Sequence, residues 1–456
     1  MPSRIMCRYI PENYKWKIRL KRGSKMLLIK NAYILDPESG YEGDADILVE
    51  NGRIKKLYKG FTGLVDESLF DDLQVIDADG LYVAPGLVDV HVHFRDPGFL
   101  YKEDIETGAE AAAKGGFTTV VLMANTKPVV DNEETLKYIL EKGKTTPIHI
   151  ETCCSVSKGL KGKELCDYKT LLEKGAVGFT DDGIPLLEES LVTEAMAKIA
   201  ELQVPISLHE EDPNLIDNNG VNRGKASEHY QIGGSPREAE VTMVTRDIEI
   251  AKKTGAVVNI QHISCKETTE MIRKAKQEGF TNIHGEATPH HFTLTEDAVI
   301  QYGTLAKMNP PLRTKEDKAA IIEAIKDGTL DIIATDHAPH SEEEKAKPIT
   351  EAPSGILGLE TAFALGIGEL VEKNDMPLID LIDRMSYAPA KMYQLDAGYI
   401  KENGPADFII FDPNEFWRVE NFQSKSKNSP FIGKMMLGKI KKTICDGKVV
   451  YEDEAN

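Results

Sequence analysis

The sequence predicts an α/β protein: a TIM-type (β/α)8 barrel with a small β-sandwich domain built from both chain ends. Three observations carry this. The middle of the chain alternates eight apolar runs with amphipathic segments, the pattern of repeated β-α units around a parallel sheet. Each run turns polar at its C-terminal end, where barrels of this kind place their chemistry. Both ends of the chain instead show short strand-like stretches separated by turn signals.

Taken in order, residues 1–25 end in "KWKIRLKRGSK", are basic unlike the rest, and read as a peripheral arm with no assigned function. Residues 26–85 form the first part of the small β domain, through "LLIKNAYILD", "ADILVENGRIKKLYKG" and "LQVIDADGLYVAPG", with a hairpin signal at Asn51-Gly52. Residues 86–390 form the barrel. Its runs are "GLVDVHVH", "GFTTVVLMANT", "PIHIETCCS", "AVGFTDDG", "VPISLHEED", "AVVNIQHIS", "NIHGEATPHH" and "DIIATDHAPH". Segments such as "KEDIETGAEAAAKGG" and "TEAMAKIAELQ" supply the helices between them. Residues 391–456 complete the small domain with "ADFIIFDP" and "KKTICDGKVVYED", the latter turning at Asp446-Gly447.

Bulk properties narrow the function classes. The 456 residues are 41% hydrophobic and 28% charged, an ordinary globular composition too long for one small core. No stretch approaches the roughly 18 uninterrupted apolar residues of a membrane helix, and no signal-peptide pattern opens the chain. The six cysteines are scattered, with no CxxC pair, which points to a reducing cytoplasm; the adjacent Cys153 and Cys154 read as small buried hydrophobes. A net charge of −19 argues against nucleic acid as a partner. It leaves a small anionic substrate open, because a local arginine outweighs distant, screened carboxylates.

The chemistry collects at the strand ends. Strand one ends in His91 and His93, strand four in Asp181-Asp182, strand five in His209, strand six in His262 and strand eight in Asp336. Residues two apart on a strand share a face, so both histidines of strand one can look into the barrel mouth. Imidazole and carboxylate are ligands of zinc and similar ions. Four histidines and two aspartates exceed one tetrahedral shell, and a bridging carboxylate would serve two ions about 3.5–4 Å apart, a known hydrolytic device. Such acids and imidazoles gathered in a dry mouth would be costly without a cation. His149, His229 and His284 read as ordinary hydrogen-bonded histidines.

The stretches "DVHVHFRDPG", "FTDDG", "KMNPPLR" and "IATDHAPH" together resemble the dihydroorotases of the amidohydrolase superfamily, from about Met26 to near the C-terminus. The resemblance implies two zinc ions, with His91, His93 and Asp336 on one and His209 and His262 on the other. Many relatives bridge the ions with a carbamylated lysine; "FTDDG" has none, which implies an aspartate bridge, assigned to Asp182 rather than Asp181. Arg95, Asn125 and His340 match residues that grip a substrate carboxylate, with His93 beside them, and Asn309, Ser354 and Gly355 match contacts to the ring. Arg95 also has a physical reason to be there, since its planar fork suits a carboxylate; its competing reading is an ion pair with Asp96 or Glu103.

The implied reaction is the reversible cyclisation of N-carbamoyl-L-aspartate to L-dihydroorotate, a step of pyrimidine (UMP) biosynthesis. Ion-activated hydroxide would attack, with Asp336 as catalytic proton carrier. The implied partners are this small-molecule substrate and a second copy of the chain in a homodimer. Three positions depart from the family pattern: "MANT", "HEED" after His209, and Ser354. They touch ring contacts rather than ligands. The rival readings are another cyclic-amide hydrolase (hydantoinase, dihydropyrimidinase or allantoinase) and a non-catalytic dihydroorotase-like subunit. The polar segment "SEEEKAKPITEAPSG" reads either as a lid over the site or as a plain solvated loop.

Overall fold

The computed structural model describes residues 25–70 and 72–453, so the arm proposed for residues 1–25 lies outside the described residues except for Lys25. The first strands are β1 (Met26–Asp36), β2 (Tyr41–Glu50), β3 (Arg53–Lys59), β4 (Leu73–Asp77) and β5 (Tyr82–Pro85). The barrel strands follow: β6 (Leu87–Val92), β7 (Phe117–Leu122), β8 (His149–Ser155), β9 (Gly178–Thr180), β10 (Pro205–Leu208), β11 (Val257–Ile260), β12 (Ile283–Ala287) and β13 (Ile332–Ile333). The chain then returns to the small domain with β14 (Phe408–Arg418), β15 (Met435–Cys445) and β16 (Lys448–Glu452).

The eight barrel strands pair in parallel and in chain order from β6 to β13. A parallel bridge between Val92 and His337, with the His93 N–H donating to His337 O at 2.9 Å, closes the ring. Every residue of β6 and β7 is buried, as expected of strands covered by helices outside and side chains inside. The helices start and stop where local chemistry dictates. Asp104 caps Ile105–Gly115 in a reciprocal box with Thr107, and Thr314 caps Lys315–Lys326 with Asp317 in the same way. A main core of Leu, Ile, Val and Ala fills the layer between barrel and helices. Ala390, Met392, Tyr393 and Ala397 close the barrel interior beneath Val88, Val90, Val121 and Ile332.

Strands from both chain ends join in one sheet, in the order β16-β15-β14-β5-β1-β2-β3, with β4 also on β1. The join is the antiparallel pair β5–β14, so the whole barrel is inserted between two neighbouring strands of the small domain. Alternation sorts the side chains of β14: Phe408 and Ile410 enter the small domain's core, while Ile409 and Phe411 pack on the barrel layer. Both hairpin signals are realised. Asn51-Gly52 and Asp446-Gly447 carry positive φ at both positions (51° and 77°, 51° and 68°), as a two-residue type I′ turn demands.

Candidate active site

Six side chains from five barrel strands meet at the C-terminal end of the barrel, and none is more than 7% exposed. They are His91 and His93 from β6, Asp182 after β9, His209 after β10, His262 after β11 and Asp336 after β13. Simple alternation along β6 does not account for the two histidines. Val88 and Val90 pack in the barrel interior, whereas Val92 belongs to the outer core. The β6–β7 register shifts between Asp89 and Val92, and this bulge turns His91 and His93 inward as well. Asp89 braces it, accepting from the His91 N–H and the Thr335 N–H at 3.1 Å each and from Thr335 Oγ at 2.5 Å. Arg95, His262 and Asp336 have φ of 60°, 35° and 47°, a region non-glycine residues seldom occupy outside constrained sites.

Asp182 sits at the centre. Its Oδ1 lies 3.4 Å from His91 Nε2 and 3.6 Å from both His209 Nδ1 and His262 Nε2, while its Oδ2 lies 3.3 Å from His93 Nε2. Asp336 Oδ1 faces His93 Nε2 at 3.1 Å and His91 Nε2 at 3.5 Å. Asp181 points elsewhere, accepting from the backbone N–H groups of His209 and Leu186 at 2.9 and 2.8 Å.

The outer edges of the rings are held by partners that fix which nitrogen faces inward. His91 Nδ1 donates to Glu286 at 2.8 Å, and His93 Nδ1 donates to Asn125 Oδ1 at 3.0 Å. His209 Nε2 lies 3.4 Å from Glu211. Glu286 also accepts from the His262 N–H at 3.2 Å and from Asn259 Nδ2 at 2.9 Å. Oriented imidazoles of this kind are typical of metal ligands.

The donor set fits a divalent metal. His91 Nε2 and His262 Nδ1 are buried without a hydrogen-bond partner, and the ring nitrogens His209 Nδ1 and His262 Nε2 stand 2.9 Å apart beside the same carboxylate. Burial alone would raise the Asp182 and Asp336 carboxyls, yet His91 and His93 hold both well below the usual carboxylate range. Two triads, His91–Asp182–His262 and His91–His93–Asp336, bring three ligand atoms each within 4.8 Å of one another.

A second group of side chains borders this cluster. Arg95 Nε donates to Pro339 O at 3.3 Å, and Nη2 comes 3.4 Å from His340 Nε2. The two acids that compete for Arg95 in the sequence pair elsewhere: Asp96 with Lys142 at 2.6 Å, and Glu103 with Ser424 and the Lys425 N–H. His340 Nδ1 accepts from Lys102 at 3.3 Å, and its Nε2 donates to Ser354 O at 2.8 Å. Ser354 Oγ donates to Asn309 Oδ1 at 3.0 Å. A Cβ on Gly355 would stand 2.6 Å from His340 Cδ2 and 2.5 Å from Ala338 O, so the close approach of this loop requires glycine. Asn125 Nδ2 reaches Asp182 Oδ2 at 3.3 Å, linking the two groups.

The segment after β13 is anchored at its C-terminal end. Lys307 Nζ donates to Ile349 O and Ala352 O at 2.7 Å, and Lys345 Nζ donates to Pro353 O and Gly355 O at 3.0 Å. Sequence reasoning missed several contributors. Glu286 was visible only as a carboxylate within an apolar run. His290 is buried beside the cluster with Nε2 unpartnered, and burial lowers it to about 3, so it is neutral. Asn428 had no signal at all. It comes from the chain between β14 and β15, accepts from the His340 N–H at 3.0 Å and donates to Gly355 O at 3.0 Å. The small domain thus reaches over the barrel to hold the loop.

Comparison with known proteins places this arrangement. A family model described as dihydro-orotase-like matches residues 80–268. The dihydroorotase of Clostridioides difficile strain 630 is 53% identical over 427 residues, 93% of this chain and 100% of the relative. That of Clostridium acetobutylicum is 50% identical over 431 residues, 94% and 100% of the two chains. Among solved structures, the L-hydantoinase of Arthrobacter aurescens superposes with a TM-score of 0.81 at 26% identity, covering 93% of this chain and 96% of its own. The chain belongs to the dihydroorotase family, metal-dependent cyclic amide hydrolases.

Proposed function

We propose that this chain interconverts N-carbamoyl-L-aspartate and L-dihydroorotate with two zinc ions at the barrel mouth. His91, His93 and Asp336 would hold one ion, His209 and His262 the other, and Asp182 would bridge them. The observation that carries the reading is the placement of Asp182, one oxygen toward three imidazoles and the other toward the fourth. When bound, the ions supply Lewis acidity and make water nucleophilic at neutral pH.

The residues of the chain supply orientation and proton transfer. Arg95, Asn125 and His340 take the substrate carboxylate, and Asn309, Ser354 and Gly355 border the ring, which sets the reacting amide against the carboxylates. In the hydrolytic direction Asp336 accepts the proton of the attacking water and delivers it to the ring nitrogen as the amide bond breaks. In the biosynthetic direction it removes a proton from the carbamoyl nitrogen. Asp336 Oδ1 already faces two imidazoles, so Oδ2 is the atom for this task. Asp96 and Glu103 being engaged elsewhere supports Arg95 as the carboxylate clamp.

Hydrolysis of dihydroorotate and of hydantoin, measured on one sample with its metal content, tests the reading. Turnover of dihydroorotate in preference to hydantoin, with at least two zinc ions per chain, is expected. Preference for hydantoin would favour the related hydrolases, and a metal-free, inactive chain would favour a non-catalytic subunit. A cytoplasmic homodimer completes the proposal; the five cysteines among the described residues are buried and unpaired, which suits a reducing compartment, and sedimentation gives the mass.

A further inference from the structure

His149 begins β8, at the opposite end of the barrel from the candidate active site. Its ring meets two side chains of the small domain: Asp407, just before β14, and Cys445, the last residue of β15. One ligand atom from each lies within 4.8 Å of the other two. His149 Nε2 is 3.2 Å from Asp407 Oδ2 and 3.8 Å from Asp446 Oδ1. Asp407 and Cys445 are buried, at 2% and 3% exposure, while His149 and Asp446 open onto a groove of about 1480 Å³.

The local backbone holds the donors in place. Asp407 Oδ1 accepts from the Asp446 N–H at 2.7 Å, in the tight turn of the β15–β16 hairpin. The Cys445 thiol faces the His149 ring and makes one long further contact, 3.8 Å, to Thr118 O. A carboxylate, an imidazole and a thiol gathered at a wet margin, with a second carboxylate at the rim, make a mixed N/O/S set. Tetrahedral zinc with bonds of about 2.0–2.3 Å needs its donors roughly 3.3–3.7 Å apart, reachable here by small side-chain rotations. The sulfur favours zinc over magnesium or calcium.

We propose that His149, Asp407, Cys445 and Asp446 form a separate structural site for a divalent ion of the zinc type, which ties the third barrel strand to the small sheet. Binding takes Cys445 as thiolate and His149 as neutral imidazole, and their protons go to solvent. The position suits a stabilising role, since the N-terminal face of such barrels serves stability and the C-terminal face serves catalysis. The competing account is a His149–Asp407 ion pair beside an inert thiol, which binds no metal.

The sulfur makes the test specific, because no cysteine among the described residues belongs to the active-site cluster. Cobalt(II) added to the full-length chain should give a near-ultraviolet thiolate-to-cobalt absorption, which Cys445→Ser abolishes while dihydroorotate turnover persists. Zinc should protect Cys445 from alkylation and should be one ion per chain lower in Cys445→Ser. Should that variant fail to fold, His149→Gln, at the groove margin, should lose the same absorption. Absence of the absorption in the unaltered chain, or its persistence in either variant, overturns the proposal whatever the metal content of the barrel mouth.

Discussion

Asp336 Oδ1 lies 3.1 Å from His93 Nε2, and an uncommon left-handed backbone at Asp336 (φ 47°) sets that approach. The relationship joins the last barrel strand to the first. On the proposed reading it separates two jobs on one carboxylate, with Oδ1 engaged by the rings and Oδ2 assigned to the proton. Asp336→Asn keeps the shape and removes the basic oxygen. Turnover is expected to fall about 10²–10⁴-fold, the usual worth of a general acid–base group, while metal content falls less. Near-normal turnover in this variant would move the proton-carrier role to another residue.

The two adjacent aspartates after β9 separate by the same logic. Asp182 faces all four imidazoles, whereas Asp181 accepts backbone N–H groups. Asp182→Asn is expected to lose bound metal and activity together after gel filtration. Asp181→Asn should retain the metal and instead lower the thermal midpoint. Equal metal loss in both would contradict the division.

Arg95 has no carboxylate hydrogen-bond partner among the described residues, only Pro339 O and the neighbouring His340 ring. Charge-assisted hydrogen bonds to a substrate carboxylate are worth about 1.5–3 kcal/mol, so Arg95→Ala should lower kcat/KM about 10–100-fold. Lysine at this position should restore only part of the loss, because it offers a point charge in place of a fork.

Away from the site, Arg237 grips Asp317 and Glu267, and Asp317 also caps the helix Lys315–Lys326. Burial would raise the Asp317 carboxyl, but Arg237 and Thr314 outweigh it and lower it to about 2. The folded state therefore releases this proton more readily than the unfolded chain does. The stabilisation is complete above the ordinary value of 3.8 and is lost as pH falls through about 2. Arg237→Gln should cost about 1–2 kcal/mol in urea unfolding at neutral pH and less below pH 3, since a partly open ion pair is screened by solvent. A cost independent of pH would exclude the Arg237–Asp317 pair as its source.

The amino-acid sequence by itself determined the fold class and named the six candidate ligands. Eight apolar runs ending in polar residues specify a barrel with a chemical mouth, because period and polarity are local properties of a chain. The hairpins at Asn51-Gly52 and Asp446-Gly447 were equally legible, since few residues accept positive φ at both turn positions. His91, His93, Asp182, His209, His262 and Asp336 were all named from strand ends and motifs, and the fold brings all six together.

Tertiary structure decided what depends on pairing between distant segments. The bulge in β6 is a matter of register against β7, so alternation along one strand could not reveal that Val88, Val90, His91 and His93 all face inward. Glu286 and Asn428 reach the site through hydrogen bonds to His91 and His340 across 195 and 88 residues of chain, separations at which no local pattern survives. His149 looked ordinary for the same reason: Asp407 and Cys445 reach it only because the barrel is inserted into a sheet made from both chain ends. Periodicity and turn chemistry are written residue by residue, whereas register and long-range contact exist only once the whole chain has closed on itself.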